Sequence, residues 1–428
     1  MQTRRHRDVV GAHAATLGGP PAVRCGATAV ACALLVGLSC APGDSVEEVS
    51  GPVIERETVD GIEVVRNVSG SVWEQPKYAV EELRIGTLEG PDETMFGRIG
   101  QIAPDGSGGV FLFDGQVPAI RNFDGQGNYL GQVGGRGEGP GEYQDALLGM
   151  QVRADGRLQV WDPRNGRITV YAADGSFSEQ WSVGSGLFTA NAMMLSAADH
   201  TYVRHLEAPP QPGEDWKIGL LHYAPDGEQL ESLSAPTVHD PPPPGNYRLK
   251  PTIVWNRTAD DAWLVGSNAR YEFEVRSTDG ATLRVQRVVE QAQVSDDEHA
   301  AYEDMRAWLN ENQGQFMSAE MTETPRVKPF YRALYTGAEG RIWVYRYGPV
   351  EARTDLPEPV EGRPPAFPFE EAKVFDVFER DGTYLGEVIA DHSINLHHVD
   401  LDAAWGTRAG DDGVTSVVRV RFVARDES

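Results

Sequence analysis

The chain has 428 residues, of which 47 are Gly and 28 are Pro, so residues that favour turns are over-represented. With 40% hydrophobic and 24% charged residues, the composition excludes a disordered chain and a multi-span membrane protein. The 64 acidic residues outnumber the 38 basic ones. The resulting net charge of −26 disfavours a nucleic-acid partner.

The first 39 residues have the features of a secretory signal peptide. A basic start at residues 4–7 precedes a short apolar run at residues 26–38, which is too short to span a bilayer comfortably. The three cysteines of the chain, Cys25, Cys32 and Cys40, all lie within the first 40 residues, so no later segment can form a disulfide.

The end of this leader predicts a lipid anchor. The sequence Gly37-Leu38-Ser39-Cys40 resembles a bacterial lipobox, in which the cysteine becomes the lipidated first residue. Ordinary signal cleavage nearby is the alternative. We expect residues 40–77 to form the lipidation site, a polar tether and an N-terminal extension. We expect export to the periplasm or cell surface, with the membrane contacted only through the lipid.

A repeat governs the rest of the chain. An aromatic residue four positions before a turn glycine recurs at Phe123, Tyr171, Tyr223 and Phe378, and Arg276 takes the aromatic position in one further copy. The successive turn glycines are 48, 52, 53 and 102 residues apart. An Asp-Gly turn between short alternating apolar runs is a strong signal for a β-hairpin.

A second tight turn lies upstream in each copy, which predicts six units of four short strands. Such units bury both faces of their sheets when they are arranged radially. The sequence therefore predicts an all-β, six-bladed β-propeller over residues 78–428. The last unit shows only three strands, near 394–400, 404–408 and 414–424. Residues 81–86 are predicted to supply its missing outer strand and close the ring.

The connection after the first unit, together with the second unit, resembles a known family. The run Gly134 to Tyr143, followed by VRADGRLQVWD and NGRITVYAADG, resembles the NHL-repeat propellers and, more closely, the extracytoplasmic 6-bladed β-propeller proteins of bacteria. The resemblance covers most of residues 95–390. It implies the fold but no single activity, since some similar propellers bind proteins or RNA and others are lyases or hydrolases with a metal in the axial channel.

Long connections are predicted on one face only, mainly over blades 3–5. They are residues 134–143, 206–215, 237–249, 291–325 and 348–371. Long loops on a rigid scaffold often carry binding, and neutral elaboration of surface loops is the alternative. Within 291–325, the capping box Ser295-Asp-Asp-Glu298 and helically spaced apolar residues predict a helical insertion at about 294–312. Its apolar stripe is expected to pack on the propeller.

Five basic residues near this face are candidate ligand-binding residues. They precede the inner strands of blades 4 and 5, at Arg248, Lys250, Arg326, Lys328 and Arg332. Arginine binds carboxylate or phosphate groups bidentately, so an anionic ligand or a protein partner is expected here. The alternative is that these residues pair with nearby acids and are structural.

Metal chemistry has weaker support in the sequence. His397 and His398 are candidate metal ligands in an inner strand, although a zinc site would need three or four converging ligands. Both are also interpretable as structural histidines. The Gly-rich residues 134–141 lack phosphate-loop spacing, and none of the G-x-S-x-G, H-E-x-x-H and C-x-x-C motifs occurs.

Two main functional hypotheses follow from these observations. The first is a ligand- or protein-binding scaffold that uses the loop-bearing face of blades 3–5 and needs no cofactor. The second is a propeller enzyme, a lyase or lactonase-like hydrolase, with one calcium or zinc ion in its axial channel. A structural envelope component without a small-molecule site is a third possibility.

Overall fold

A computed structural model describes residues 51–146, 149–184, 193–208, 217–314, 320–337, 339–354, 356–410 and 413–425. The leader, its cysteines and the lipobox lie outside these ranges. Among the described residues, no helix is long and apolar enough to cross a membrane.

The chain begins with a hairpin and a long strand, which are β1 (Val53–Val59), β2 (Ile62–Ser69) and β3 (Lys77–Ile85). A short 3-10 helix (Asp92–Thr94) follows. Blade 1 consists of β4 (Ile99–Pro104), β5 (Val110–Asp114), β6 (Ala119–Phe123) and β7 (Tyr129–Val133). The short pair β8 (Gly135–Arg136) and β9 (Glu142–Tyr143) connects it to blade 2. Blade 2 consists of β10 (Met150–Val152), β11 (Leu158–Asp162), β12 (Arg167–Tyr171) and β13 (Phe177–Ser182).

The next three blades keep the same antiparallel order. Blade 3 consists of β14 (Met193–Leu195), β15 (Thr201–Leu206), β16 (Ile218–Tyr223) and β17 (Gln229–Ser234). Blade 4 consists of β18 (Ile253–Arg257), β19 (Trp263–Ser267), β20 (Glu272–Arg276) and β21 (Thr282–Arg287). The helix α1 (Asp296–Gln313) follows it. Blade 5 consists of β22 (Ala333–Thr336), β23 (Ile342–Ala352), β24 (Phe369–Phe378) and β25 (Tyr384–Ala390).

Blade 6 is built from both ends of the chain, as predicted. Its own strands are β26 (Ile394–Val399), β27 (Ala403–Ala409) and β28 (Thr415–Ala424). Its outer strand is β3, which pairs antiparallel with β28 from Ile85 to Lys77. The ring is therefore closed by backbone hydrogen bonds between the N-terminal and C-terminal strands. The six-bladed all-β propeller with one helical insertion is confirmed.

The tight turns explain why the repeat is visible in the sequence. The five glycines of the repeat motif have φ between 81° and 89°. This is the left-handed region that glycine enters without steric cost, whereas other residues are strained there. The motif glycines therefore mark the hairpins between the third and fourth strands of blades 1–5.

The hairpin β1–β2 was not predicted. It extends blade 4, because β2 pairs in parallel with β21 over Glu63–Asn67. Its Asn67 is buried and reaches blade 5, where the side chain donates to the carbonyl of Gly382 at 2.9 Å and accepts from the backbone N–H of Tyr384 at 2.9 Å. Since β3 also pairs briefly in parallel with β25, the N-terminal segment contacts the outer edges of blades 4, 5 and 6.

Candidate binding groove on the loop face

The long connections meet on one face of blades 4 and 5. The backbone N–H of Thr322 donates to the carbonyl of Asn246 at 2.8 Å, which joins the 237–252 connection to the 320–329 segment. Tyr302 of α1 contacts Phe367 of the 353–368 loop, with ring centroids 4.6 Å apart. The guanidinium carbon of Arg248 lies 5.9 Å from the Tyr302 ring centroid. We call this elaborated surface the loop face.

The helix begins as the capping box predicts, but Glu298 contacts a different partner. The hydroxyl of Ser295 accepts from the backbone N–H of Glu298 at 3.2 Å. The carboxylate of Glu298 then pairs with Lys328, with Oε1 and Nζ 2.7 Å apart. The predicted apolar stripe is only half-buried, and the buried residues of α1 are Glu298, His299 and Tyr302. The helix is therefore positioned by polar contacts at its N-terminal end as well as by packing.

Two of the five candidate cations, the buried Lys328 and the more exposed Arg332, contact Glu371. Lys328 is 1% exposed, and its Nζ lies 3.8 Å from Oε1 of Glu371 in addition to its contact with Glu298. Arg332 donates to Oε2 of Glu371 and lies 3.9 Å above the ring of Tyr347. Burial lowers the pKa of Arg332, but the charge of Glu371 outweighs it and the pKa is raised. These two cations support the base of the loop face.

The other three cations lie outside this network. Arg326 is about half exposed, and its one described ion pair, with Asp296 at 2.8 Å, involves a carboxylate that is almost fully exposed. Exposed pairs of this kind contribute about 0–1 kcal/mol, so the guanidinium can exchange partners at little cost. Arg248 and Lys250 are half-buried in the connection that faces the 320–329 segment.

A groove of about 500 Å³ lies between these two segments. Its lining consists of Tyr247, Leu249, Pro251, Gln291, Thr322, Glu323, Thr324, Pro325, Arg326, Val327 and Pro329. Most of this surface is apolar, with Arg326 as its cation and Glu323 as its carboxylate. We call it the loop-face groove.

The two walls of the groove differ in their backbone. One contains a residue in a strained conformation, and the other is held by hydrogen bonds. Leu249 has a φ of 58°, a conformation that costs a bulky residue of the order of 1–3 kcal/mol. On the opposite side, the backbone N–H of Thr324 donates to Glu303 of α1 at 2.9 Å, and Val294 N–H donates to the carbonyl of Arg326 at 2.9 Å. Strained backbone of this kind clusters at ligand-binding sites.

The two candidate metal ligands lie in β26 and have ordinary hydrogen-bond partners. His397 Nε2 is 3.1 Å from Oγ1 of Thr407, and His398 Nε2 is 2.6 Å from the carbonyl of Ile102 in blade 1. The side chain of His397 is exposed in β26, but desolvation by the surrounding protein, with the nearby charges of His398 and Lys373, lowers its pKa to about 4. In the described parts of the chain, no three His, Cys, Asp or Glu side chains are grouped so as to hold a metal. A metal-binding role for His397 and His398 stays a prediction.

Residues 80–206 match a family model described as a 6-bladed beta-propeller. The chain is a six-bladed β-propeller. No curated protein matches it. The likeness to NHL repeats remains a prediction.

Solved structures with a similar fold are distant in sequence. A member of the duf4221 family from Bacteroides vulgatus has 11% identity and a TM-score of 0.48, covering 82% of this chain and 98% of its own. A candidate exported protein from Bacteroides fragilis has 8% identity and a TM-score of 0.43, covering 85% and 99%. Virginiamycin B lyase from Staphylococcus aureus has 10% identity and a TM-score of 0.35, covering 87% and 96%.

Proposed function

We propose that this propeller is an exported, lipid-anchored binding scaffold whose loop-face groove holds an apolar group that lies next to an anionic group. The observation that carries the proposal is the groove itself, an apolar cleft with Arg326 at its rim and with Arg248 and Lys250 in the connection that forms one wall. A small anionic molecule or an acidic segment of a partner protein has this chemistry.

The charge distribution supports an anionic ligand. A net charge of −26 repels anions over most of the surface, so a local group of cations is needed for them to bind. Arg326 supplies a fork of N–H donors that matches a carboxylate or sulfonate. The apolar walls supply binding energy that scales with the apolar area they remove from water. Lys328 and Arg332, which are paired with Glu298 and Glu371, position the groove from beneath.

A fluorescence titration with anilinonaphthalene sulfonate tests this proposal, because the probe joins an apolar ring system to an anion. We expect one saturable site on the purified protein, with affinity that falls as salt is added. The double variant Arg248→Glu with Lys250→Glu, and the variant Arg326→Glu, are each expected to weaken binding at least tenfold. Arg66→Glu and Arg421→Glu, at exposed positions in β2 and β28, are the matched controls.

Equal probe binding by the groove variants and the wild type would overturn the assignment of the site. Unaltered thermal unfolding of the variants would show that lost binding does not reflect lost folding. With the groove established, capture of envelope proteins on immobilised wild type, with the Arg326→Glu variant as the reference, would identify a protein partner.

The anchor is tested separately. Lipidation at Cys40 predicts partition into the detergent phase and incorporation of a labelled fatty acid, both lost in Cys40→Ala. The variants Cys25→Ala and Cys32→Ala are the controls, because these cysteines precede the predicted cleavage point. Incorporation that survives in Cys40→Ala would contradict the anchor without affecting the groove.

A further inference from the structure

The interface between blades 3 and 4 differs from the other interfaces. The repeat aromatics Phe123, Tyr171, Tyr223 and Phe378 each belong to an apolar cluster between their own blade and the preceding one. Blade 4 has Arg276 at this position. Within the described ranges, apolar clusters join the other five pairs of neighbouring blades, and none joins blades 3 and 4.

The sheet of blade 4 accordingly has one apolar face and one polar face. Leu264, Phe273 and Val285 pack against blade 5. On the other face, the strand register places side chains in two rows across β19, β20 and β21. The first row is Val265, Glu274 and Arg284, and the second pairs Glu272 with Gln286, next to Ser267 at the end of β19. This alternation of apolar and polar side chains is typical of strands with one face in water and is not expected in a sheet that is buried on both faces.

These polar rows line a cavity of about 360 Å³ beneath the connection that contains Asp240. Its walls carry three carboxylates and three guanidiniums, which are Asp240, Glu272, Glu274, Arg270, Arg276 and Arg284. The cavity therefore has charged groups of both signs and no net charge from these six residues. It lies apart from the loop-face groove, with which it shares no lining residue.

The charged walls are held in place by one another. Arg284 and Arg276 each lie 2.7 Å from a carboxylate oxygen of Glu274. Glu272 accepts from Gln286 at 2.6 Å and lies 3.9 Å from Arg284. Arg270 and Asp240 pair at the more exposed end of the cavity, where both side chains are over half exposed.

Ser267 provides the second observation that points to a ligand. It lines the cavity and is 8% exposed, and its hydroxyl is buried without a hydrogen-bond partner. A buried hydroxyl left unpaired costs about 1–3 kcal/mol, which a bound polar group would recover. The neighbouring carboxylate of Glu272 and the guanidinium of Arg270 also line the cavity.

We propose that this cavity binds a small zwitterion of the size of a free amino acid. Its ammonium group would pair with Glu272, its carboxylate with Arg270, and a polar atom with the Ser267 hydroxyl. The wall charges already balance one another, so a ligand with a single charge would add an unbalanced charge to the cavity, and a neutral ligand would displace water from the wall charges without replacing its interactions. A zwitterion supplies charge-assisted hydrogen bonds to both.

Isothermal titration calorimetry with the twenty free amino acids, first in pools and then singly, tests the proposal on the purified protein. We expect at least one amino acid to bind saturably. Its amine-only and carboxylate-only analogues, and sorbitol as a neutral polyol, are expected to bind at least tenfold more weakly. Glu272→Gln and Ser267→Ala are expected to raise the Kd at least tenfold and about threefold, and Arg66→Gln, which lies outside the cavity, is expected to leave it unchanged.

Several results would overturn the proposal. These are the absence of saturable binding by any amino acid, stronger binding of sorbitol or of a singly charged analogue, and an unchanged Kd in Glu272→Gln. Ser267→Ala removes a single unpaired hydroxyl and is expected to keep the wild-type Tm. It therefore separates loss of a ligand contact from loss of folding.

Discussion

The interface between blades 1 and 2 and the interface between blades 3 and 4 pack in different ways. Between blades 1 and 2, Tyr171 is fully buried with Phe113, Tyr143 and other apolar residues, and its hydroxyl donates to the carbonyl of Gly141 at 3.1 Å. Between blades 3 and 4, Arg276 occupies the same position of the repeat and pairs with Glu274. Among the described residues, the ring thus has one pair of neighbouring blades without an apolar cluster between them, and the polar face of blade 4 lines a cavity.

The contrast predicts unequal effects of truncating equivalent residues. Tyr171→Ala leaves a cavity in a filled apolar interface, so we expect it to lower the free energy of unfolding by about 3–5 kcal/mol. Arg276→Ala removes a partly exposed ion pair and is expected to cost about 0–1 kcal/mol. Denaturant unfolding of both variants checks this, and equal losses would mean that the two interfaces contribute alike.

A second contrast lies between buried and exposed ion pairs on the loop face. Lys328→Met leaves Glu298 buried without its cation, and we expect a loss of about 3–5 kcal/mol. Arg326→Met removes a pair whose carboxylate is almost fully exposed, and we expect a loss below about 1 kcal/mol. Chemical denaturation of the two variants is the measurement. A small loss in Lys328→Met would show that the network beneath the groove does not hold α1 in place.

The N-terminal strands offer a third contrast of the same kind. Asn67→Ala leaves the carbonyl of Gly382 and the N–H of Tyr384 without their side-chain partner in a buried site, so we expect a loss of about 1–3 kcal/mol. Arg56→Ala removes contacts to Asp381 between exposed side chains and is expected to cost less than about 1 kcal/mol. Thermal unfolding compares the two. Similar small shifts in Tm would indicate that the contact of the β1–β2 hairpin with blade 5 contributes little to stability.

A last contrast is a pH dependence at His397. Its pKa falls from 6.5 to about 4 in the folded protein, so the unfolded chain binds more protons between these values. Stability is therefore lost as the pH falls from 6.5 towards 4. His397→Asn is expected to flatten this part of the curve of unfolding free energy against pH. His392→Asn, which lies outside β26, is the control, and an unchanged curve in His397→Asn would contradict the assignment.

The parts of the fold that local signals specify could be predicted from the sequence. Asp-Gly turns mark the hairpins. Because the last unit has only three strands of its own, a strand before the first unit, which is β3, was predicted to complete it. The capping box at Ser295 located the start of α1. The β1–β2 hairpin was missed because its parallel pairing with β21 joins residues more than 200 positions apart and depends on tertiary packing.

The two sites were predictable to different degrees. The cations of the loop face were visible as residues, but burial of Lys328 and exposure of Arg326 depend on where α1 docks. The cavity on the polar face of blade 4 had a signal in the sequence, which is Arg276 at an aromatic position, with alternating charged residues before it in β20 and polar residues after it in β21. Its meaning depends on which interface that position faces, which became clear only in the structure.

The most direct test of the proposed function is a crystal structure of the protein with anilinonaphthalene sulfonate. We expect the ring system to pack against Pro325 and Pro329 in the loop-face groove, with the sulfonate within hydrogen-bond distance of Arg326. A probe bound elsewhere on the propeller, with this groove empty, would contradict it.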